Sequence, residues 1–195
     1  MDGISPGGRG RARDAARTRE AILRAGQRLF AQKGYATTGV REIAAQAGVS
    51  LALVQRYFGS KEGLLRAALE DLLQIEAMID GPRADFGARA ARLLTMPMGI
   101  PNPVAIMMLA MADLDARRLC CDLVNENVIL PLAAWLGGEG ALDRAAQLNT
   151  LWTGFITTRQ LMPLPQLADD RAGPTVAWLA RVTQAIADGA GAGPP

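Results

Sequence analysis

The segment Thr38–Leu65 constrains the fold more than any other part of this 195-residue chain. It contains two short apolar-periodic stretches, the first ended by Gly48 and the second by Gly59. Glycine commonly ends helices because it adopts the left-handed backbone conformation without a steric penalty. We therefore predict helices over 39–47 and 51–58, followed by the start of a third. This is the pattern of a helix-turn-helix, which lays one helix in the major groove of DNA.

Hydroxyl residues stand where helix amino termini need capping. We predict that Thr38 and Ser50 cap the two short helices and that Ser60 caps the next helix, because their side chains can accept a backbone hydrogen bond. Val54 and Phe58 are four residues apart and should form the inward face of the second helix. The outward face is then made of Leu51, Ala52, Gln55 and Arg56.

The amino-terminal third of the chain is basic. Residues 1–70 hold 12 Lys/Arg and 6 Asp/Glu, whereas the remainder holds 9 and 13. This asymmetry indicates contact with a polyanion at one end only. We predict a disordered basic arm over 1–14 and a first helix from Arg13 to Lys33. Four arginines share a stripe about 60° wide on this helix; they are Arg13, Arg17, Arg24 and Arg28. The stripe either contacts phosphates or faces solvent.

The remainder of the chain has a helical pattern, so the predicted fold class is all-α with about nine helices. The helix after Ser60 should run from Lys61 to about Ile79. Pro131 should kink or split a later helix, because proline lacks the backbone N–H and its ring clashes with the preceding turn. Further helices are predicted near 84–95, 103–112, 114–136, 139–161 and 173–188. The domains are predicted as 15–60 for the helix-turn-helix and 61–189 for a second helical domain, with a disordered tail over 190–195.

Composition excludes several classes of site. The chain has no histidine, so histidine-based acid–base, nucleophilic and metal chemistry is ruled out. The neighbouring cysteines Cys120 and Cys121 are predicted to be small buried apolar residues in a reducing compartment. The uncharged run 93–112 contains a proline cluster, which favours two buried helices over a membrane span. No metal or cofactor is predicted.

The residues 18–65 resemble the DNA-binding domain of the tetracycline-repressor (TetR) family. The similarity covers about a quarter of the chain and centres on GYATTGVREIAAQAGVSLALVQRYFGSKEGLL. The Gly-Tyr pair, the Ile-Ala pair, the Ala-Gly-Val-Ser turn and the Tyr-Phe-Gly-Ser-Lys-Glu run are all in register. The resemblance implies a cytoplasmic, nucleoid-associated bacterial transcription regulator, usually a repressor, which binds a palindromic operator as a homodimer. It also implies release by a small apolar or amphipathic effector, with no membrane partner and no enzymatic activity.

Individual residues can be matched to the family positions. The resemblance implies phosphate contacts for Thr38, Ser50, Tyr57 and Lys61, and base or backbone contacts from Leu51, Leu53, Gln55 and Arg56. Arg41 and Ala52 complete the candidate DNA-binding set. From its chemistry alone, Gln55 suits an adenine edge, and Arg56 suits a guanine edge or a phosphate. Three positions depart from the frequent family residues; they are Ala52 for glycine, Leu53 for threonine and Gln55 for tyrosine.

The second domain offers candidate ligand-binding residues. Methionine is adaptable and suits varied apolar ligands. An aromatic pair with a cation beside it suits an amphipathic anion. The candidates are Met107, Met108, Met111, Trp152, Phe155 and Arg159. The alternative is that these residues form the core or a dimer interface, and the resemblance implies that the last two helices of each subunit form a four-helix interface.

Two other functions are open at this stage. A helical interaction module without DNA binding is one, because Leu53 and Gln55 are unusual at their positions. An enzyme built on a helical bundle is the other, with carboxylates from Asp115, Asp122 and Glu126 on a shared face. No histidine partner accompanies these carboxylates, and an acidic face in contact with solvent explains them more simply.

Overall fold

The structure is a computed structural model that describes residues 7–96, 101–168 and 172–189, with side chains from Arg13 onward. These residues form helices joined by turns and contain no strand, which confirms the all-α fold class. The chain divides into two compact units. The first comprises Met1–Asp71 and Ile106–Cys120, and the second comprises Leu72–Ala105 and Cys121–Pro195. The predicted boundary between residues 60 and 61 therefore lies inside the first unit.

The described helices follow one another with short connections. Those that begin in the first 80 residues are α1 Gly7–Lys33, α2 Val40–Ala47, α3 Leu51–Phe58, α4 Lys61–Leu72 and α5 Glu76–Ile79. The later helices are α6 Phe86–Thr95, α7 Pro103–Ala110, α8 Leu114–Val124, α9 Leu130–Leu136, α10 Ala141–Ile156 and α11 Gly173–Ala187. With α8 and α9 counted as one interrupted helix, and the single turn α5 left out, the described residues hold the predicted nine helices.

Two predictions about helix ends are corrected by the structure. The disordered arm predicted over 1–14 is wrong for residues 7–14, because α1 begins at Gly7. The glycines in this segment favoured disorder in the sequence, and their low helix propensity did not prevent the helix. Residues 1–6 and the predicted tail 190–195 lie outside the described residues. The helix predicted to reach Ile79 instead ends at Leu72, where the chain passes into the second unit.

The first unit is held together by apolar faces of α1 to α4. Fully buried side chains from α1, α2 and α4 form its centre; they are Ile22, Phe30, Ile43, Leu64, Leu65 and Leu69. Gln27 is a buried polar residue among them, and its amide Nε2 donates to Ala68 O at 3.3 Å and to Asp71 Oδ2 at 2.8 Å. These bonds satisfy a group that would otherwise lose its hydration, and they tie α1 to the end of α4.

The second unit is built on close contact between α6 and α11. A Cβ added to Gly87 would lie 2.2 Å from the Ala180 carbonyl oxygen, so this crossing requires glycine. Gly87 N donates to Gln184 Oε1 at 2.9 Å in the same region. Between α10 and α11, the Trp152 indole N–H donates to Thr183 Oγ1 at 3.1 Å. The backbone contact and the buried polar pair fix these helices at defined positions within the unit.

The helix from α8 to α9 is interrupted where proline was predicted to disturb it. A π turn spans Asn125–Ile129, immediately before Pro131. Proline clashes with the carbonyl four residues earlier, and the wider turn relieves that clash. Leu123 and Val128, five residues apart, are both buried, and the buried stripe continues at Leu132. The whole stretch is the one described helix apolar and long enough to span a membrane, but these buried side chains are those of a bundle core.

Candidate nucleic-acid interface

The turn between α2 and α3 has the geometry that the sequence predicts. Gly48 has φ 67° and ψ 32°, in the left-handed region. Its N–H donates to Ala45 O at 3.1 Å, and the Val49 N–H donates to Ala44 O at 3.0 Å. These bonds satisfy carbonyls at the end of α2 that have no partner within the helix. The backbone therefore turns sharply and presents α3 at a fixed angle to α2.

The two faces of α3 differ as predicted. Val54 and Phe58 are 2% and 9% exposed, so they anchor the helix to the first unit. Gln55 and Arg56 are exposed on the other side. Arg56 forms no ion pair or hydrogen bond with any residue in the described part of the chain. A guanidinium held outward on a rigid helix is free to donate to a base edge or a phosphate.

The ends of α3 are also well defined. Ser50 occupies the predicted amino-terminal cap position, although its hydroxyl makes no capping bond and is exposed. Gly59 ends the helix with φ 72°, and Ser60 Oγ then accepts from Gly63 N at 3.0 Å, which confirms Ser60 as the cap of α4. Behind the helix, the Arg19 guanidinium lies over the Phe58 ring at 5.1 Å. The anchor residue is thus held by both apolar packing and a cation–π contact.

Lys61 has internal partners that the sequence did not indicate. Its Nζ lies 4.3 Å from the centre of the Tyr35 ring and 3.4 Å from Ala36 O. Partial burial lowers the pKa of Lys61, an effect that the negative charge of Asp113 partly offsets. Burial also raises the pKa of Tyr35, with further contributions from Asp113 and Glu62. The ring and the carbonyl compensate part of the unfavourable position of a cation in the first turn of α4.

The prediction that Thr38 caps α2 is wrong. Gly39, not Thr38, occupies the amino-terminal cap position of α2. Thr38 is 1% exposed, and its hydroxyl donates to Gly34 O at 2.7 Å. The hydroxyl therefore points into the first unit, and the predicted phosphate contact of Thr38 stays a prediction. Its partner Gly34 directly follows the end of α1 at Lys33 and lies four residues before Thr38.

A concave surface lies between the start of α2, the side of α3 that carries Leu51 and Gln55, and the start of α4. It encloses about 520 Å³, and two of its lining residues, Arg41 and Lys61, are basic while none is acidic. Glu42, the acidic residue in the first turn of α2, is ion-paired with Lys33. The complete lining is Gly39, Val40, Arg41, Leu51, Val54, Gln55, Gly59, Ser60 and Lys61. We call this surface the basic hollow.

Most of the remaining candidate DNA-binding residues also reach the surface of the first unit. Arg41 and Ala52 are exposed, and Leu51, Leu53 and Tyr57 are half-buried. Of the predicted set, Arg41, Leu51, Gln55 and Lys61 lie together in the basic hollow, and the DNA contacts of the whole set stay predictions.

The candidate ligand-binding residues do not form one group in a single unit. Met107, Met108 and Met111 belong to the first unit, and the aromatic pair belongs to the second. Trp152 and Phe155 are 4% and 5% exposed, so they are part of the packed core. This agrees with the alternative that the sequence left open for the aromatic pair.

Arg159 is the candidate that lines a concave surface in the second unit. The pocket encloses about 540 Å³ and also includes Arg92. Arg159 Nη1 donates to Leu167 O at 2.8 Å, which positions its guanidinium. Most of the other lining residues are small; the remainder of the lining is Ala88, Ala91, Thr95, Ala172, Gly173, Val176, Ala177 and Ala180. An apolar floor with two cations suits a small amphipathic anion.

Other chemistry has little support in the described residues. Histidine is absent from the sequence, and the described ranges contain no cluster of cysteine and carboxylate groups that would hold a metal ion. Cys120 is buried as predicted, whereas Cys121 is exposed, so the prediction of a buried pair is half wrong. The two neighbours point to different sides because successive residues on a helix are 100° apart.

Two family models match this chain. The model described as bacterial regulatory proteins, tetR family, matches residues 22–68. The model described as tetracyclin repressor-like, C-terminal domain, matches residues 84–186, which is more than half of the chain. The first match spans α2, α3 and the basic hollow, and the second spans α6 to α11.

Individual relatives are named as regulators. The HTH-type transcriptional repressor Rv3405c of Mycobacterium tuberculosis is 48% identical over 52 residues, which are 27% of this chain and 28% of that protein. A TetR-family regulator from Streptomyces coelicolor A3 has 29% identity and a TM-score of 0.58, covering 96% of this chain and 99% of that one. The multidrug binding protein EbrR, complexed with ethidium, has 23% identity and a TM-score of 0.62, covering 87% and 98%.

Proposed function

Since the chain belongs to the TetR family of bacterial regulatory proteins, we propose that it binds double-stranded DNA and regulates transcription, most simply as a repressor. The chain spans only 28% of the length of the curated repressor Rv3405c that it matches. The activity of the whole protein is therefore part of the proposal. It works in the cytoplasm, where the DNA is.

One observation carries the proposal. Gln55 and Arg56 project from α3 while Val54 and Phe58 fix the helix from behind. Rigid anchoring matters because a reading helix discriminates bases only if its side chains keep a constant register on the groove. The basic hollow beside α3 adds Arg41 and Lys61, which suit the phosphates that flank the bases read by α3.

Operator binding requires two copies of α3, so we propose a homodimer. Large apolar side chains are exposed on the two helices that the family resemblance assigns to dimerisation, namely Leu142 on α10 at 56% and Trp178 on α11 at 45%. A second copy would remove both from water. Two recognition helices about 34 Å apart would then match a palindromic site of one helical turn.

We further propose that a small amphipathic effector releases the protein from DNA. The second-unit pocket supports this idea, because Arg92 and Arg159 line it together with five alanines. EbrR, a structural neighbour, is described with bound ethidium. Ethidium is a cation, however, whereas the two arginines in the pocket of this chain favour an anion. We therefore propose an anionic effector.

Capture of DNA from sheared genomic fragments tests the proposal directly. Purified full-length protein should retain a small set of fragments that share an inverted repeat. Binding should weaken steeply as salt rises, because phosphate contacts release counterions. If no fragment is retained at low salt, the protein is instead a helical module without DNA binding.

The dimer and the effector have separate tests. Sedimentation should give a dimer for the wild type and a monomer for Leu142→Asp with Trp178→Asp, with helical content unchanged. For the effector, fatty acids of different chain length should lower the affinity for a captured fragment, and Arg92→Ala with Arg159→Ala should remove that response. An unchanged response in this double variant would contradict the proposed pocket.

A further inference from the structure

The amino-terminal part of α1 extends well beyond the core that the helix helps to form. The helix begins at Gly7, and among its residues from Arg13 onward the first buried one is Ile22. Every residue from Arg13 to Ala21 is exposed or half-buried. At 1.5 Å per residue, the 15 residues from Gly7 to Ala21 extend the helix by about 22 Å. We call the segment 7–21 the α1 arm.

The α1 arm is strongly basic, and part of its charge has no internal partner. It contains five arginines against two acidic residues. Within the basic stripe predicted from the sequence, Arg24 is neutralised by Glu20 at 2.7 Å. Arg13 and Arg17 are exposed and form no ion pair or hydrogen bond with any other residue in the described ranges. They lie four residues apart, so both point to the same side of the helix.

Folding alone does not account for this arrangement. Like charges four residues apart destabilise a helix by about 0.2–0.5 kcal/mol. Gly7, Gly8 and Gly10 further reduce helix stability, and no residue from Arg13 to Ala21 is buried in compensation. A bound polyanion would offset the repulsion between the arginines and stabilise the helix. The charge of the arm is therefore better explained by an external partner than by a purely structural role.

The arm also leaves the core beside the recognition helix. Arg19, within the arm, lies over the ring of Phe58, the last residue of α3, at 5.1 Å. The α1 arm therefore runs towards Arg13 from a point beside the carboxyl end of α3, the helix proposed to enter the major groove. Both elements belong to the first unit.

We propose that the face of the α1 arm bearing Arg13 and Arg17 is a second DNA-contacting surface, which binds duplex phosphates flanking the site read by α3. This inference rests on the proposed DNA binding but is separate from the helix-turn-helix and the basic hollow. Phosphate contacts carry no base information, so the arm contributes to affinity and orientation and leaves sequence preference to α3.

The salt dependence of binding tests the arm with the full-length protein. The affinity for a mixed-sequence duplex is measured from 50 to 300 mM monovalent salt for the wild type and for Arg13→Ala with Arg17→Ala. Loss of two phosphate contacts should reduce the slope of log affinity against log salt by about 1–2. The preference for a captured fragment over mixed sequence should stay the same.

Two further variants make the result specific. Arg13→Lys with Arg17→Lys keeps both charges and should restore the slope. Arg117→Ala with Arg118→Ala removes the same charge from exposed positions on α8 and should leave the slope unchanged. Because alanine is the best helix former, circular dichroism should show no loss of helix in any variant.

Each outcome decides between the two proposals. A slope equal to that of the wild type in the Arg13→Ala, Arg17→Ala protein would overturn the arm proposal while leaving DNA binding intact. A reduced slope in the α8 control as well would overturn it too, because the effect would then follow net charge alone. If the wild type itself shows no affinity at 50 mM salt, the proposed function fails first, and that result is distinct from a change confined to the arm variants.

Discussion

Arginine is used differently in the two units. Six arginines of the first unit are exposed and have no ion pair or hydrogen bond with another described residue; they are Arg13, Arg17, Arg19, Arg41, Arg56 and Arg117. Four arginines of the second unit each donate to a backbone carbonyl within that unit; they are Arg83, Arg89, Arg144 and Arg159. Arg92 and Arg181 of the second unit are likewise exposed without such a partner, so the difference between the units is that, among the described residues, only the second unit uses arginines to bind backbone carbonyls.

This difference between the units helps to separate arginines that stabilise the fold from arginines available to bind DNA. A guanidinium at the carboxyl end of a helix satisfies carbonyls that lack a partner and interacts favourably with the helix dipole. An exposed cation without a partner contributes little to stability, but it raises the local potential for an anion. The distinction predicts that truncation in the second unit unfolds the protein more easily, whereas truncation in the first changes DNA binding.

The largest effect is expected for Arg83→Ala. Arg83 donates to Leu136 O at 2.9 Å and to Ala187 O at 2.8 Å, so it joins the ends of α9 and α11, and it also lies over the Trp135 ring. Loss of these charge-assisted bonds should lower the free energy of unfolding by about 2–3 kcal/mol. Urea denaturation measures this, with Arg56→Ala as the matched control that should change stability by less than about 0.5 kcal/mol. Equal stability losses in the two variants would contradict the comparison.

Arg56→Ala should instead affect recognition. If Arg56 contacts a base, discrimination between an operator and mixed-sequence DNA should fall by about 1–3 kcal/mol. Competition binding at constant salt measures this difference. An equal loss of affinity on every sequence would assign Arg56 to the phosphate backbone. No loss on any sequence would contradict its place on the DNA-binding surface.

Lys61→Ala should weaken binding to specific and mixed-sequence DNA alike. Lys61 lines the basic hollow, and one lost phosphate contact should reduce the salt slope by about 0.9. Lys61→Arg retains the charge and should preserve the slope. Unchanged affinity in Lys61→Ala would show that the lysine serves only its contacts with Tyr35 and Ala36.

The smallest expected effect is a pH dependence that originates at Lys61. Its pKa is lowered below 10.5 in the free protein, and a nearby phosphate favours the charged form. DNA binding should therefore take up protons, and affinity should decrease as pH rises through the lowered pKa. Unfolding has the opposite sign, because the unfolded chain binds more protons between the lowered pKa and 10.5, so this contribution to stability increases with pH across that window.

Binding titrations between pH 8 and 9.5 measure this dependence. Tyr35 stays protonated there because its pKa is raised above 10.0. Lys61→Arg should flatten the profile, since arginine remains charged throughout. A profile identical to that of the wild type would assign the pH dependence to another group.

The helix-turn-helix was predictable because its signals are local. Gly48, Gly59 and Ser60 set the ends of three short helices through backbone conformation and capping, and each behaves as its sequence context indicates. The orientation of α3 followed from the spacing of Val54 and Phe58. These features depend on residues within a few positions of each other, so no knowledge of tertiary packing was needed.

What the sequence could not provide depends on distant partners. Lys61 lies over Tyr35, 26 positions earlier in the chain. Trp152 is held by Thr183, 31 residues away. The hydrophobic periodicity indicates that these residues belong to helices. It does not indicate which distant group a side chain contacts.

The π turn before Pro131 has a consequence for comparing this chain with its relatives. Because the turn places one more residue between the buried Leu123 and Val128 than an α-helix would, it has the form of a one-residue insertion. A relative without proline at this position would keep the same apolar stripe with one residue fewer. Alignments of the second unit should therefore open a single-residue gap within 125–129, and a gap forced elsewhere in this helix would assign every following side chain to the wrong side.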